Sequence, residues 1–265
     1  MLKKLFIFSI TGLILLACAS VAVTGRKQLS LVSNSEIIPM ANTEYADVIK
    51  KGPLSTNQEQ TQLVKKVGVK IQKAVEEYMA SKGLSSELQG FAWEFNLIDD
   101  PKTVNAWCMP GGKVAFYTGI MPICKDETGI AVVMGHEVAH AIANHGRERM
   151  SQQMFAQYGL STIGAVLGQN PTAGQQLLMQ AVGAGTNIGM LKFSREHESE
   201  ADHIGLIFMT MAGYDPNQAP IFWERMSSMS GGSEPMEFLS THPSHATRIA
   251  DLKGWIPEAL SYKKK

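Results

Sequence analysis

The chain has 265 residues, with 24 Lys and Arg balanced by 24 Asp and Glu, so the formal charge is zero. That balance leaves no electrostatic case for nucleic acid as a partner. The length suits one domain with a sizeable core once an N-terminal targeting segment is set aside.

Lys3 and Lys4 precede an apolar run from Leu5 to Leu16. This is a charged start followed by an apolar stretch too short to span a bilayer comfortably, and it predicts a secretory signal peptide over residues 1–17. Leu15-Leu16-Ala17-Cys18 resembles a bacterial lipobox, with Leu16 a less usual residue at its position. Cleavage before Cys18 would leave it as the lipidated N-terminus, and two or more acyl chains anchor stably where one does not. Residue 19 is alanine rather than the aspartate that retains many such lipoproteins at the inner membrane. The expected address is the periplasmic face of the bacterial outer membrane, with the inner membrane or the soluble periplasm as the alternatives. Ordinary cleavage nearby, or an uncleaved anchor, is the plainer reading.

Residues 18–53 read as a lipid-anchored tether and lead-in helix, with Pro39 and Gly52-Pro53 as breaks. The main domain is expected over 54–258, followed by a basic tail at 259–265. Leu63, Val64, Val67, Ile71 and Val75 recur at helical spacing between Glu59 and Met79, and Gly83 ends that helix. Phe91, Trp93, Phe95 and Leu97 alternate along a half-buried strand. Ala106–Met109 and Val114–Tyr117 read as two more strands, joined through Pro110-Gly111-Gly112. Cys108 and Cys124 could pair in an oxidising compartment, but two separate buried thiols are preferred, since spacing does not fix disulfide geometry. Thr128 to Ala143 reads as a helix, with Asp126 and Glu127 suited to its start and Arg147 and Arg149 to its end. Met150 to Leu191 contains no Asp, Glu, Lys or Arg. It predicts two helices joined near 169–171, packed through small residues or, in the sharper reading, forming a flap over a cleft. A further helix runs from Ser194 until Gly213, and Asp215-Pro216 starts the next. A small sheet beside a helical core makes an α+β, mainly helical, architecture.

The chemistry lies in His136-Glu137-Val138-Ala139-His140. Helix positions i and i+4 share a face, so both imidazoles reach one cation, while Glu137 is placed to take a proton from a metal-activated water. Two satisfied core histidines are the plain alternative. A catalytic zinc takes three protein ligands. Ala143 and Gly146 stand where another spacing would supply a third, so it must come from elsewhere. Glu198 and Asp202 are four apart on the later helix. Glu198 is the candidate third ligand, and Asp202 is placed to hold a ligating histidine through its other ring nitrogen. Ala201 and Gly205 are small enough for this helix to pack closely on the first. Glu196, His197 and Glu200 read as a solvated face, and His145, His197, His203 and His245 as surface or structural residues.

These motifs resemble metallopeptidase family forty-eight, the gluzincin group of the CAAX prenyl protease, HtpX and the beta-barrel assembly-enhancing protease. The resemblance rests on Val104 to Gly112, on His136 to His140, on Ser194-Arg195 through Glu198 to Ala201-Asp202, and on Thr241-His242-Pro243 with Arg248. Val23 to Val32 is similar to the lead-in of secreted lipoprotein members. With few residues after Arg248 in this sequence, the C-terminal repeat domain of the assembly-enhancing protease is not expected here. The resemblance implies a zincin-like (gluzincin) form of that α+β architecture and one zinc ion per chain on His136, His140 and Glu198, with Glu137 as the base. It implies that His242 either donates to the oxyanion or occupies the open metal position, and that Arg248 orients the same region. Asn105-Ala106-Trp107 becomes the candidate edge for an extended substrate strand, where residues alone suggest a plain hairpin with a buried tryptophan. The expected activity is endopeptidase cleavage of unfolded or misassembled envelope proteins, with the outer-membrane protein assembly machinery as a further partner. The alternative is a zinc-bound chaperone or adaptor lipoprotein that cuts little.

Overall fold

The computed structural model describes residues 18–158, 193–229, 237–242 and 247–263. The expected signal peptide, the joint near 169–171, His245 and the end of the basic tail lie outside the described residues.

The stretch read as a tether carries a small hairpin and a helix. Strand β1 (Cys18–Ser20) pairs antiparallel with β2 (Lys27–Leu29). Helix α1 (Asn34–Lys51) follows, started by a capping box in which Ser33 and Glu36 satisfy each other's backbone donors. Pro39 lies inside α1 and does not break it. It removes one ladder donor on a helix whose Ile37, Ile38, Ala41 and Tyr45 are buried, and that packing outweighs the loss. Helix α2 (Gln58–Ser81) is capped by Asn57, whose side chain accepts from the Gln60 N–H. It ends where Gly83 turns at φ +70°.

The sheet is β3 (Glu94–Ile98), β5 (Lys113–Tyr117) and β4 (Ala106–Met109), in that order across it. β3 runs parallel to β5, and β4 antiparallel. Phe91 and Trp93 precede the strand rather than joining it, and Trp93 stacks on Phe95 at 6.2 Å. β4 is an edge strand by order, yet all four of its residues are buried. After the short helix α3 (Met121–Cys124), the sheet is covered by α4 (Glu127–Ile142), capped by Asp126 through the Gly129 N–H. Cys108 and Cys124 are separate buried thiols.

α4 ends earlier than its charges suggested. Asn144 takes φ +60°, and a new helix α5 (His145–Tyr158) leaves in another direction, carrying Arg147 and Arg149 with it. Helix α6 (Arg195–Met211) is capped by Ser194 and ended by Gly213 at φ +94°. It crosses α4 at two glycines: a Cβ on Gly205 would lie 2.8 Å from the Gly135 carbonyl carbon. Helices α7 (Gln218–Met229), α8 (Glu237–Thr241) and α9 (Arg248–Ser261) complete the layer around this pair. The result is a helical core with a three-stranded sheet on one side, an α+β zincin-like arrangement.

Candidate metal centre

α4 is buried around its whole circumference, so its two histidines sit in the core rather than on a wet face. His136 and His140 lie one turn apart, with their Nε2 atoms 3.0 Å from each other. The close crossing at Gly135 and Gly205 brings α6 near enough for Glu198 to join them. Glu198 Oε1 is 3.4 Å from His140 Nε2, and Oε2 is 3.6 Å from His136 Nε2. His242, the residue after α8, supplies a fourth donor through Nδ1, 3.0 Å from Glu198 Oε1 and 3.3 Å from His136 Nε2. One donor atom from each of the four residues falls within 4.8 Å of the others, and all four residues are buried.

The electrostatics suit a cation. Burial, the largest cause, pushes the His136 and His140 pKa values well below the ordinary range, so both present neutral lone pairs. Burial alone would raise Glu198, but His242, His136 and Arg248 outweigh it and hold the carboxylate at about 2. Glu137 is pushed well above the usual carboxylate range, first by burial and then by the charge of Glu198. Glu137 Oε1 is buried without a hydrogen-bond partner among the described residues, and His242 Nε2 is 3.6 Å from it. A narrow cleft lined by Cys108, Pro110, Glu137, His140 and Phe193 opens onto this carboxylate.

The surrounding groups fix the ligands' orientation. Asp202 Oδ1 lies 2.9 Å from His136 Nδ1, so the Nδ1–H donates to it and leaves Nε2 free for the metal. Arg248 donates to the same Asp202 oxygen at 2.6 Å and to Glu198 Oε2 at 3.3 Å. Its guanidinium lies 3.2 Å from the centre of the Trp223 ring. His242 is stacked between Phe193 and Phe238, with ring centroids at 4.9 and 4.6 Å.

His136, Glu137, His140, Glu198, Asp202, His242 and Arg248 are thus brought together. The candidate substrate edge is close by, but its side chains point into the fold: Asn105, Ala106 and Trp107 are buried, and Trp107 meets Tyr45 edge-on at 5.8 Å. The expectation of a solvated face at His197 and Glu200 is overturned, because both are buried. His145 is also buried rather than on the surface, with Nδ1 2.8 Å from His140 Nδ1. Of these histidines among the described residues, His203 is partly exposed, 2.8 Å from Glu258, while His145 and His197 are buried.

The description "Peptidase family M48" matches residues 66–256. The chain belongs to peptidase family M48. Mitochondrial metalloendopeptidase OMA1 of Schizosaccharomyces pombe is 40% identical over 66% of this chain and 50% of its own length. Metalloendopeptidase OMA1 of Homo sapiens is 28% identical over 91% of this chain and 46% of its own length. The beta-barrel assembly-enhancing protease of Escherichia coli is 33% identical over 61% of this chain and 34% of its own length. The chain therefore spans half or less of these relatives. The cofactor of this family is zinc, and a set of neutral imidazoles and one ionised carboxylate, all buried, fits it. Among the described residues, no helix is long and apolar enough to cross a membrane.

Proposed function

We propose that this protein is a zinc-dependent endopeptidase of the bacterial cell envelope that cuts unfolded or misassembled polypeptides. The observation that carries this reading is the buried set His136, His140 and Glu198 with Glu137 beside it. Zinc held there would supply Lewis acidity and bring the pKa of a water to about 7. Glu137, made basic by its burial, takes the proton at Oε1 and returns it to the leaving amine. Asp202 keeps His136 in its ligating tautomer, and Arg248 holds Asp202 and Glu198 together. In this arrangement His242 fills the fourth donor position, so the site is read as a resting state that must let His242 withdraw.

Substrate is proposed to pair with the outer edge of β4. Tyr117 N–H donates to Asn105 O, so Asn105 and Trp107 turn their backbones toward β5, and Ala106 and Cys108 turn theirs away. A peptide added along that edge would be held extended beside Glu137. Phe238 N–H in α8 already donates to Val104 O at 3.0 Å, and Asn105 Nδ2 donates to Glu237 at 3.2 Å. The helix that leads directly into His242 is thus tied to the start of the proposed substrate edge.

A chaperone or adaptor that only binds peptide would have no need of Glu137. The test is cleavage of an unfolded polypeptide by wild type and Glu137→Gln with zinc content measured in both. Turnover should fall by about 10²–10⁴ in the variant with zinc retained. Equal turnover would sink the peptidase reading.

The location is part of the proposal. Lipidated Cys18 would hold the domain at the periplasmic face of the outer membrane, within reach of the assembly machinery for outer-membrane proteins. Cys18→Ala should abolish incorporation of labelled fatty acid and release the protein from the membrane fraction. Unchanged labelling would place the anchor elsewhere.

A further inference from the structure

Behind His140, on the side away from Glu198's carboxylate, lies a second buried polar cluster that the peptidase reading does not use. His140 offers Nε2 to the metal position, so its Nδ1 must carry the ring proton. The Nδ1–H donates to His145 Nδ1 at 2.8 Å. An acceptor at Nδ1 places the His145 proton on Nε2, which donates to Glu200 Oε2 at 2.9 Å. Glu200 is in turn held by Thr24 Oγ1 and by Arg26 Nε at 2.7 Å. The same guanidinium reaches Glu148 through Nη2 at 2.7 Å and Nη1 at 3.2 Å, and Glu148 accepts from His197 Nε2 at 3.0 Å. Each link fixes the tautomer of the next, and the chain of bonds ends on one arginine.

That arginine is not part of the helical core. Arg26 belongs to the turn of the β1–β2 hairpin, 174 residues from Glu200 and 122 from Glu148. The hairpin is seated by fully buried Val21 and by the Leu31 N–H donating to Ser151 in α5. The geometry points to Arg26 as a positioning residue of the metal centre: through Glu200 and His145 it sets the ring orientation and basicity of His140, so the N-terminal hairpin is a working part of the site. Arginine suits the task because its planar fork presents donors in fixed directions to two carboxylates at once, whereas an ammonium is a point charge on a flexible stem. Asp202 performs the corresponding service for His136 from the opposite side. The inference rests on the zinc-site reading above.

The test uses the full chain in detergent and zinc itself as the probe, with affinity read by competition against a chelator. Wild type must bind about one equivalent; if it does not, the zinc-site reading fails and this inference with it. Given binding, Arg26→Ala is expected to hold zinc about 10–100-fold more weakly, the cost of losing the partner that orients a ligating histidine. Arg26→Lys should fall between, because it restores the charge and reaches one carboxylate. Should Arg26→Ala fail to fold, Arg26→Lys and the isosteric Glu200→Gln carry the test. Val21→Ala trims the hairpin's buried packing but keeps the backbone bond from Val21 N–H to Arg26 O that seats the arginine, and should lower the melting temperature while zinc affinity stays put. Lys27→Ala, on the same hairpin, should change neither. The visible spectrum of the cobalt-loaded protein should shift in Arg26→Ala and not in Val21→Ala. Zinc affinity within twofold of wild type in folded Arg26→Lys and Glu200→Gln overturns the inference. So does an equal loss in Val21→Ala.

Discussion

His242 carries two readings, and turnover of a variant would separate them. An oxyanion donor would stand back from the ligands, whereas here Nδ1 is 3.0 Å from Glu198 Oε1, among the donors. Removing the ring leaves His136, His140 and Glu198 in place. His242→Ala is therefore expected to keep its zinc and to raise turnover several-fold by opening the fourth position. A fall of about 10²–10³ would assign the residue to the oxyanion instead. The residues visible in sequence were those whose roles follow from local spacing: His136 and His140 one turn apart, and Glu198 and Asp202 one turn apart. His145, Glu200 and Arg26 were not legible. Their contacts join positions 55 and 174 residues apart, and no periodicity encodes such a meeting. His145 was further concealed by Asn144, whose left-handed backbone starts a new helix and swings the ring back onto His140.

At the scale of elements, the site depends on how closely α4 and α6 approach. Glycine at 135 and 205 removes the side chains that would hold the axes apart. A Cβ at 205 would meet the backbone N of His136 at 2.8 Å. Neither helix can yield without moving its ligands, because Glu198 lies two turns along α6 and His136 follows Gly135 directly. Gly205→Ala should destabilise the fold by about 1–3 kcal/mol in denaturant unfolding, as overpacking does, and weaken zinc binding as well. Full zinc affinity in a destabilised variant would show that α6 absorbs the strain elsewhere. The sequence announced the small residues of α6, but Gly135 is one apolar-run residue among many until the two helices are seen to cross. The three strands were legible from alternation and turn chemistry. α1 was legible in its Ser33-x-x-Glu36 start, yet Pro39 argued locally against the helix that tertiary packing sustains.

At the scale of the whole molecule, buried carboxylates tie distant segments together, and this gives stability an acid limit. Burial raises Glu148 and Glu200, but Arg26, His197, His145 and Thr24 outweigh it and hold both at about 2, below their ordinary 4.5. A carboxylate whose folded pKa lies below its unfolded one contributes stability that is complete above the unfolded value and is lost as pH falls toward the folded one. Unfolding free energy should therefore decline from about pH 4.5 toward pH 2, and the decline should be shallower in Arg26→Ala. An identical acid limb in that variant would remove these pairs from the account. The same long-range ties have a consequence in time. The metal position is framed by residues from Arg26, near one end of the described chain, to Arg248, near the other. No shorter stretch, not even the one that holds both histidines and Glu137, can assemble it. Contacts of such separation form only after the intervening loops have closed. While the chain is being made it carries the motif but not the assembled site. The proposed peptidase site therefore exists only once the chain that carries it has itself folded.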